Sequence, residues 1–430
     1  MNHTPQTEAT EPDRPIPPCP HFGLCGGCQL QNLAYSAQLA AKSARLRTLL
    51  AATGLTLPAL QLHPSPPLAY RNRIRLTLDA VDGQLRAGYI GASRDDDQGD
   101  DQPNTRQHGA TFLPITQCPI AAPILWRAAE SLLALLNADP GVWLRSPWFT
   151  LDQLELFTLP DESRLQLSLY LRSNSKSLPG SLGPLFAMLS EALRARLPEL
   201  AGAGVYLLPP YSALRSRRSE TARPGPAWGA PGLQYPINGE PTTDTGQPLS
   251  FWVPRTAFFQ VNRFLLPELL SLVTANHTGD LAWDLYAGVG LFSRALAPHF
   301  ARIAAVEIAE PAASALAAIG LAHLRAVKAT TLDFLRVAVV ERDRPDLIVL
   351  DPPRSGAGPE VCSLLARIAA PTLIYVSCSP ETLPSDLQTL AGPSGYTIAE
   401  LHLLDLFPQT THIETVAILT RDSAAKTPAQ

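Results

Sequence analysis

The sequence predicts an α/β protein: an open, mostly parallel sheet in the C-terminal part, a strand-rich α+β centre, and an N-terminal segment organised by cysteines. Three observations predict it. Beyond about residue 250, short apolar runs of strand length alternate with segments of helical period, the pattern of repeated βαβ units. From Tyr70 to Leu171 the apolar period is two, interrupted by turn residues. Cys19, Cys25 and Cys28 cluster, while Cys118, Cys362 and Cys378 stand apart. With 430 residues and 46% hydrophobic content the chain can bury more than one core.

Taken in order, residues 1–17 are proline-rich and nearly free of apolar side chains, so a disordered tail is expected there and again over 422–430. Residues 18–69 hold the cysteine cluster and one helix, whose apolar positions 33, 35, 39, 46 and 50 precede a stop at Gly54. Residues 70–221 form the strand-rich centre. Tyr70 to Leu78 runs into Asp82-Gly83 and returns through Gln84 to Ile90, a hairpin; Leu151 to Leu159 and Arg164 to Leu171 flank a turn at Asp161-Glu162. The acidic stretch 93–109 interrupts this region as a polar loop, and the Pro/Gly-rich stretch 222–250 marks a connection. In the C-terminal region, 251–421, strands are expected at Leu281–Tyr286, Ala301–Glu307, Asp346–Asp351 and Thr372–Cys378. Helices are expected near 291–298, 311–319, 358–369 and 383–391.

Composition excludes several classes. No run of about 18 uncharged apolar residues occurs and no secretory signal opens the chain, so a cytoplasmic protein without a membrane span is expected. Thirty-four Lys and Arg against 38 Asp and Glu give a net charge of −4, so any nucleic-acid site must be local. Six cysteines in so long a chain do not make a secreted disulfide framework.

Four stretches carry chemistry. Asp284-Leu285-Tyr286-Ala287-Gly288-Val289-Gly290 stands where a strand hands over to a helix, and Glu307 ends the next strand, where a carboxylate can accept hydrogen bonds from ribose hydroxyls. By itself G-x-G is also a common tight turn. Asp351-Pro352-Pro353-Arg354 follows an apolar strand, at the sheet edge where open α/β sheets bind ligands. Cys378 ends the following strand with a thiol, and Glu414 opens the last one with a carboxylate. A thiolate adding to carbon 6 of a uracil activates carbon 5 toward an electrophilic methyl, and a base must then remove the carbon 5 proton. Alone, Cys378 reads more often as an inert buried cysteine and Glu414 as an exposed glutamate.

The order and wording of Phe259-Gln260-Val261-Asn262, Asp284-Leu285-Tyr286, Asp351-Pro352-Pro353-Arg354, Val376-Ser377-Cys378-Ser379-Pro380 and Asp405-Leu406-Phe407-Pro408 with His412 to Val416 resemble the bacterial RNA uridine-5-methyltransferases. Cys19-Pro20-His21-Phe22, Cys25-Gly26-Gly27-Cys28-Gln29 and Tyr70-Arg71-Asn72-Arg73 extend the likeness over most of the chain. The resemblance implies a Rossmann-like S-adenosylmethionine-dependent domain with a mostly parallel seven-stranded sheet. It also implies Cys378 as nucleophile, Glu414 as base, and Gln260, Tyr286, Glu307, Asp333 and Asp351 around the cofactor. Departures are Ser379 and Leu291, where relatives often have Asn, and Ala287, often Cys.

The spacing C-x5-C-x2-C, with Cys118-Pro119 downstream as fourth ligand, suits a [4Fe-4S] cluster or a structural zinc. In the resembling family this arrangement holds [4Fe-4S], which is the favoured expectation. Cys362 reads as core. Arg71, Arg73 and Arg75 alternate along one strand and are expected to form a phosphate-tracking row about 7 Å apart. Arg215, Arg217 and Arg218 form a second basic patch. The expected partner is structured RNA, with no obligate protein partner. The cluster begins at Cys19, without room for the N-terminal barrel of some relatives, so a barrel-less 23S ribosomal RNA enzyme is the first expectation and a transfer RNA enzyme the second. An amino-group methyltransferase using Asp351-Pro352-Pro353, and an iron-sulfur RNA-binding or redox-sensing protein, are the readings from other classes.

Overall fold

The computed structural model describes residues 15–91, 111–173, 180–209, 222–237, 248–391 and 395–421. After the cysteine segment come α1 (Tyr35–Ala51) and β1 (Leu60–His63). The central region holds β2 (Arg73–Val81), β3 (Gln84–Ile90), β4 (Phe112–Pro114), α2 (Pro123–Ala138), α3 (Pro140–Trp143), β5 (Phe149–Thr158), β6 (Leu165–Ser173), α4 (Leu182–Arg196), β7 (Leu200–Leu208) and β8 (Arg223–Gly229). A ribbon of β9 (Gly232–Pro236) and β10 (Ser250–Pro254) leads to α5 (Leu266–Thr274). Then follow β11 (Gly279–Leu285), α6 (Leu291–Leu296), β12 (Phe300–Val306), α7 (Ala312–Ala317), β13 (Leu324–Val327), α8 (Thr331–Glu341), β14 (Leu347–Leu350), α9 (Pro359–Ile368), β15 (Thr372–Ser377), α10 (Leu383–Ala391), β16 (Tyr396–Leu404) and β17 (Glu414–Arg421).

The C-terminal sheet runs β1-β16-β17-β15-β14-β11-β12-β13. Its strands from β11 to β15 pair in parallel, and β17 inserts antiparallel between β15 and β16. The chain winds outward from β11 through β12 to β13, then crosses back to lay β14 on the other side of β11. This reversal opens a crevice at the carboxyl ends of β11 and β14, where ligands bind in such sheets. The strands here are nearly continuous apolar runs because helices cover both faces. Leu269, Leu270, Phe292 and Leu296 pack on one face. Phe334, Leu365 and Leu387 pack on the other, joined by Leu46 and Leu50 of α1.

The central sheet runs β4-β3-β2-β5-β6-β7-β8, antiparallel apart from the β6–β7 pair, with α2 and α4 packed into its core. Two buried asparagines align it with the C-terminal sheet. Asn72 donates through Nδ2 to Tyr235 Oη and to the Gln260 carbonyl, both at 3.0 Å. Asn262 donates to Ser65 Oγ at 2.9 Å and to the Leu406 carbonyl at 3.0 Å, and accepts from the Phe264 and Leu265 amides. Both are fully buried, so each unmade bond would leave a desolvated amide group.

The strands and helices expected beyond residue 280 form within a few residues of their expected ends. Three expectations change. The sheet has eight strands, not seven, because β1 pairs in parallel with β16; four residues of weak alternation do not announce so distant a partner. The 222–250 stretch is not only a connection, since it supplies β8, β9 and the start of β10. β8 is an edge strand, where Pro224 and Pro226 are tolerated because one row of amides needs no ladder partner. The arginine row also changes, as shown below. The 93–109 stretch, the patch at Arg215, Arg217 and Arg218, and most of both tails lie outside the described residues. Among the described residues no helix is long and apolar enough to cross a membrane.

Candidate active site and cysteine cavity

Strand register brings the expected cofactor residues to one edge. Val327, Val306, Leu285 and Leu350 are the last paired residues of β13, β12, β11 and β14. Glu307, Tyr286 and Asp351 follow immediately on three of these strands, and Asp333 stands in the first turn of α8 after the fourth. Tyr286 leaves β11 at φ +63°, followed by Gly288 at +56° and Gly290 at +85°. A Cβ on Gly288 would meet nothing within 4 Å, so the loop is open on that side. At Gly290 a Cβ would come within 2.8 Å of both Ile319 Cδ1 and Leu316 Cδ1, and the φ itself favours glycine.

Glu307 is held under this loop: Oε2 accepts from the Gly288 amide at 2.9 Å, and Oε1 from the Ile308 and Ala309 amides at 2.7 and 2.6 Å. Asp333 is exposed, with its amide donating to Thr330 Oγ1 at 3.1 Å. Asp284 lies fully buried beneath the loop, accepting from the Ser293 amide and hydroxyl while its Oδ1 has no partner. Burial pushes its carboxyl up to about 7, and Glu307 adds to the shift. The Asp351 carboxyl is likewise raised to about 7 by burial and by Asp284. A cationic ligand beside these acids relieves that cost, so the donor set fits a sulfonium cofactor with ribose hydroxyls.

The residues expected to react come from β15 and β17. Ser377 pairs with Thr415 in the antiparallel register, so the next residues outward, Cys378 and Glu414, adjoin at the end of the pair. Cys378 is half-buried. Burial pushes its thiol up to about 12, with the Glu414 and Asp351 charges adding and the Arg354 guanidinium opposing. Glu414 is 2% exposed. Its carboxyl is raised well above the usual range, first by burial and then by Asp351, again opposed by Arg354. Gln260 is buried and contributes its carbonyl to the Asn72 latch. Ser379, the departure from the family's usual Asn, donates its amide to Ser377 Oγ at 3.3 Å.

Two residues here had no role assigned from sequence. Arg354 is the exposed cation that acts on both reacting groups, and its signal was its place directly after Asp351-Pro352-Pro353. Asp284 was signalled by a carboxylate inside an otherwise apolar strand.

Cys19, Cys25, Cys28 and Cys118 line one cavity with His21, Gln31, Arg71 and Tyr89. Burial raises Cys25 and Cys118, and carries Cys28 to about 11. Among the described residues no group of three His, Cys, Asp or Glu is placed to hold a single metal ion. Arg71 brings a buried guanidinium, its Nε without a partner, to the cavity wall. Such a cation suits a negatively charged group held by thiolates. Cys362 is core, fully buried in α9.

The expected exposed arginine row does not form: Arg71 leaves it, and of the three only Arg75 is exposed. Arg71 precedes β2, and its backbone bridges Ala121 and Asn262, which turns the side chain into the cavity. Arg73 is paired with Glu155 at 3.1 Å and lies over the Phe157 ring. Arg75 is exposed, bonded to Gln153 and stacked on Tyr170.

An open sheet with acids at the ends of its central strands and a glycine loop after the first of them forms a site for a nucleoside-bearing cofactor, as in S-adenosylmethionine-dependent methyltransferases. The model of the tRNA (uracil-5-)-methyltransferase family matches residues 245–422. The 23S rRNA (uracil(1939)-C(5))-methyltransferase RlmD of Chromohalobacter salexigens is 31% identical, over 98% of this chain and 79% of that protein. The chain belongs to the RNA (uracil-5-)-methyltransferase family. An uncharacterized RNA methyltransferase of Thermotoga maritima is 28% identical over 95% of this chain and 85% of that one. The crystal structure of Pyrococcus abyssi tRNA (uracil-54, C5)-methyltransferase in complex with S-adenosyl-L-homocysteine shares the fold. Its TM-score is 0.66 at 21% identity, covering 93% of this chain and 86% of that one.

Proposed function

We propose that the protein methylates carbon 5 of a uridine in 23S ribosomal RNA, with Cys378 as covalent nucleophile and Glu414 as base. The observation that carries the roles is the β15–β17 register, which sets a thiol and a buried carboxylate side by side at the mouth of the crevice. S-adenosylmethionine supplies the electrophilic methyl, and Tyr286, Glu307, Asp333, Asp351 and Gln260 are the residues that would hold it. The target base is extruded from its stack to reach the crevice.

Cys378 gives up its proton to solvent as its sulfur bonds to carbon 6, the Arg354 guanidinium opposing the burial that raises the thiol. The carbon 5–carbon 6 π pair becomes an enolate, which takes the methyl at carbon 5 as the sulfonium's carbon–sulfur pair leaves with the thioether. Glu414 removes the carbon 5 proton; that electron pair restores the double bond and expels the Cys378 thiolate. Its raised pKa strengthens it as a base once ionised.

The ribosomal target is supported by the substrate named for the RlmD relatives. Residues 251–421 would form the catalytic domain and 70–221, extended by β8, the RNA-binding domain, with the exposed Arg75 on its surface. Cys19, Cys25 and Cys28 of the 18–69 segment, with Cys118, would hold a [4Fe-4S] cluster, a reading supported by the one cavity they line together with Arg71. Acting on bacterial ribosomal RNA, the protein would work in the cytoplasm.

The test is mass spectrometry after incubation with S-adenosylmethionine and an RNA containing 5-fluorouridine, which blocks proton removal. An adduct mapping to Cys378 and carrying one methyl is expected. Methylation of ordinary RNA without any such adduct overturns the roles, and methylation of unmodified transfer RNA but not of 23S RNA overturns the target.

A further inference from the structure

We propose that Gln409 is a positioning residue for Glu414, clamping the turn between β16 and β17 to the segment that follows Cys28. The proposal rests on Glu414 acting as the base. Gln409 is a buried non-glycine residue at φ +70°. A side chain in that region is strained and persists only where the surroundings over-determine it. Here they do. Its amide donates to Gln38 Oε1 at 2.9 Å, and its Oε1 accepts from Gln38 Nε2 at 2.9 Å, a reciprocal pair. Its carbonyl accepts from the Gln29 and Leu30 amides, both at 3.0 Å.

Each of these partners comes from residues 29–38, which belong to neither strand that the turn joins. The turn lies five positions before Glu414, so its conformation sets the line along which the chain enters β17 and presents the carboxylate beside Cys378. Thr411 extends the tether, its amide donating to Gln29 Oε1 at 3.3 Å. The base is thereby aimed from outside its own sheet ladder. A displacement of about 1 Å at a reacting group costs on the order of 100-fold in rate.

The test separates steps of the reaction. In Gln409→Gly the left-handed turn is unstrained, so the fold is kept while the side-chain bond from Gln38 Nε2 is lost and the main-chain amide bond to Gln38 Oε1 stays; Gln38→Ala removes both bonds. With ordinary uridine RNA in a single turnover, both variants are expected to form the methylated Cys378 adduct at close to the wild-type rate. Both should release it about ten- to 100-fold more slowly, so the adduct accumulates on a denaturing gel with RNA KM unchanged. The double variant should be no worse than the worse single one. Equal slowing of adduct formation and release, or unaltered release in both variants, overturns the proposal. If wild-type protein forms no 5-fluorouridine adduct, the covalent reading itself has failed; if it does and the variants do not accumulate adduct, only the role of Gln409 falls.

Discussion

Replacing Lys42 by methionine should be among the more damaging single changes in this chain, although Lys42 touches no reacting group. Its Nζ lies 2.6 Å from Asp405 Oδ1, with 2% and 0% of the two side chains exposed, and 2.9 Å from the Phe407 carbonyl. Burial lowers the lysine's pKa while Asp405 pulls it back up, so the pair is held by mutual neutralisation. Methionine fills similar volume but leaves the Asp405 charge buried and uncompensated, which costs about 3–5 kcal/mol. Lys42→Met with Asp405→Leu removes both charges and should recover most of that loss. A chain with two large sheets need not unfold in one step, so the readout is regional: amide exchange across residues 400–411. A loss of about 3 kcal/mol there speeds exchange roughly 140-fold. Acceleration below about fivefold in the single variant, or equal acceleration in the double one, would refute the assignment of a buried, mutually dependent pair.

Three further outcomes are expected. Because the Cys378 thiol is pushed up to about 12 and the thiolate is the reacting form, kcat/KM should climb from about pH 6 to about pH 9 without a plateau. Arg354→Ala, which removes the opposing cation, should lower the rate at neutral pH; a flat profile contradicts this. Gly290→Ala places a side chain at φ +85° against Ile319 and Leu316 and should both lower the melting temperature and raise KM for S-adenosylmethionine roughly tenfold or more, as measured by thermal melts and initial rates. Anaerobically purified protein should carry about four irons and four sulfides per chain, and Cys28→Ser should lose both. One equivalent of zinc instead would replace the cluster by the alternative metal.

The C-terminal strands and helices were legible because buried parallel strands are short apolar runs and their crossovers are helical, both local signals. The candidate site residues were visible as a carboxylate or thiol at the end of an apolar run, as at Asp351 and Cys378, but the roles expected of them came from the family resemblance. What tertiary structure decided is what depends on long-range pairing. β1 joins the C-terminal sheet through hydrogen bonds to β16, more than 300 residues away, which no period in Leu60–His63 encodes. Arg71 shares its alternation with Arg73 and Arg75, yet a backbone bridge to Asn262 takes it from the strand and aims it at the cysteines. Gln409 looks like an ordinary loop residue until its reciprocal bonds to Gln38 are seen. Sequence alone thus determined which elements form beyond residue 280 and which titratable groups end the apolar strands, since both follow from side-chain chemistry and local period. Which groups face one another was decided by register and burial, because those energies exist only once distant segments have met.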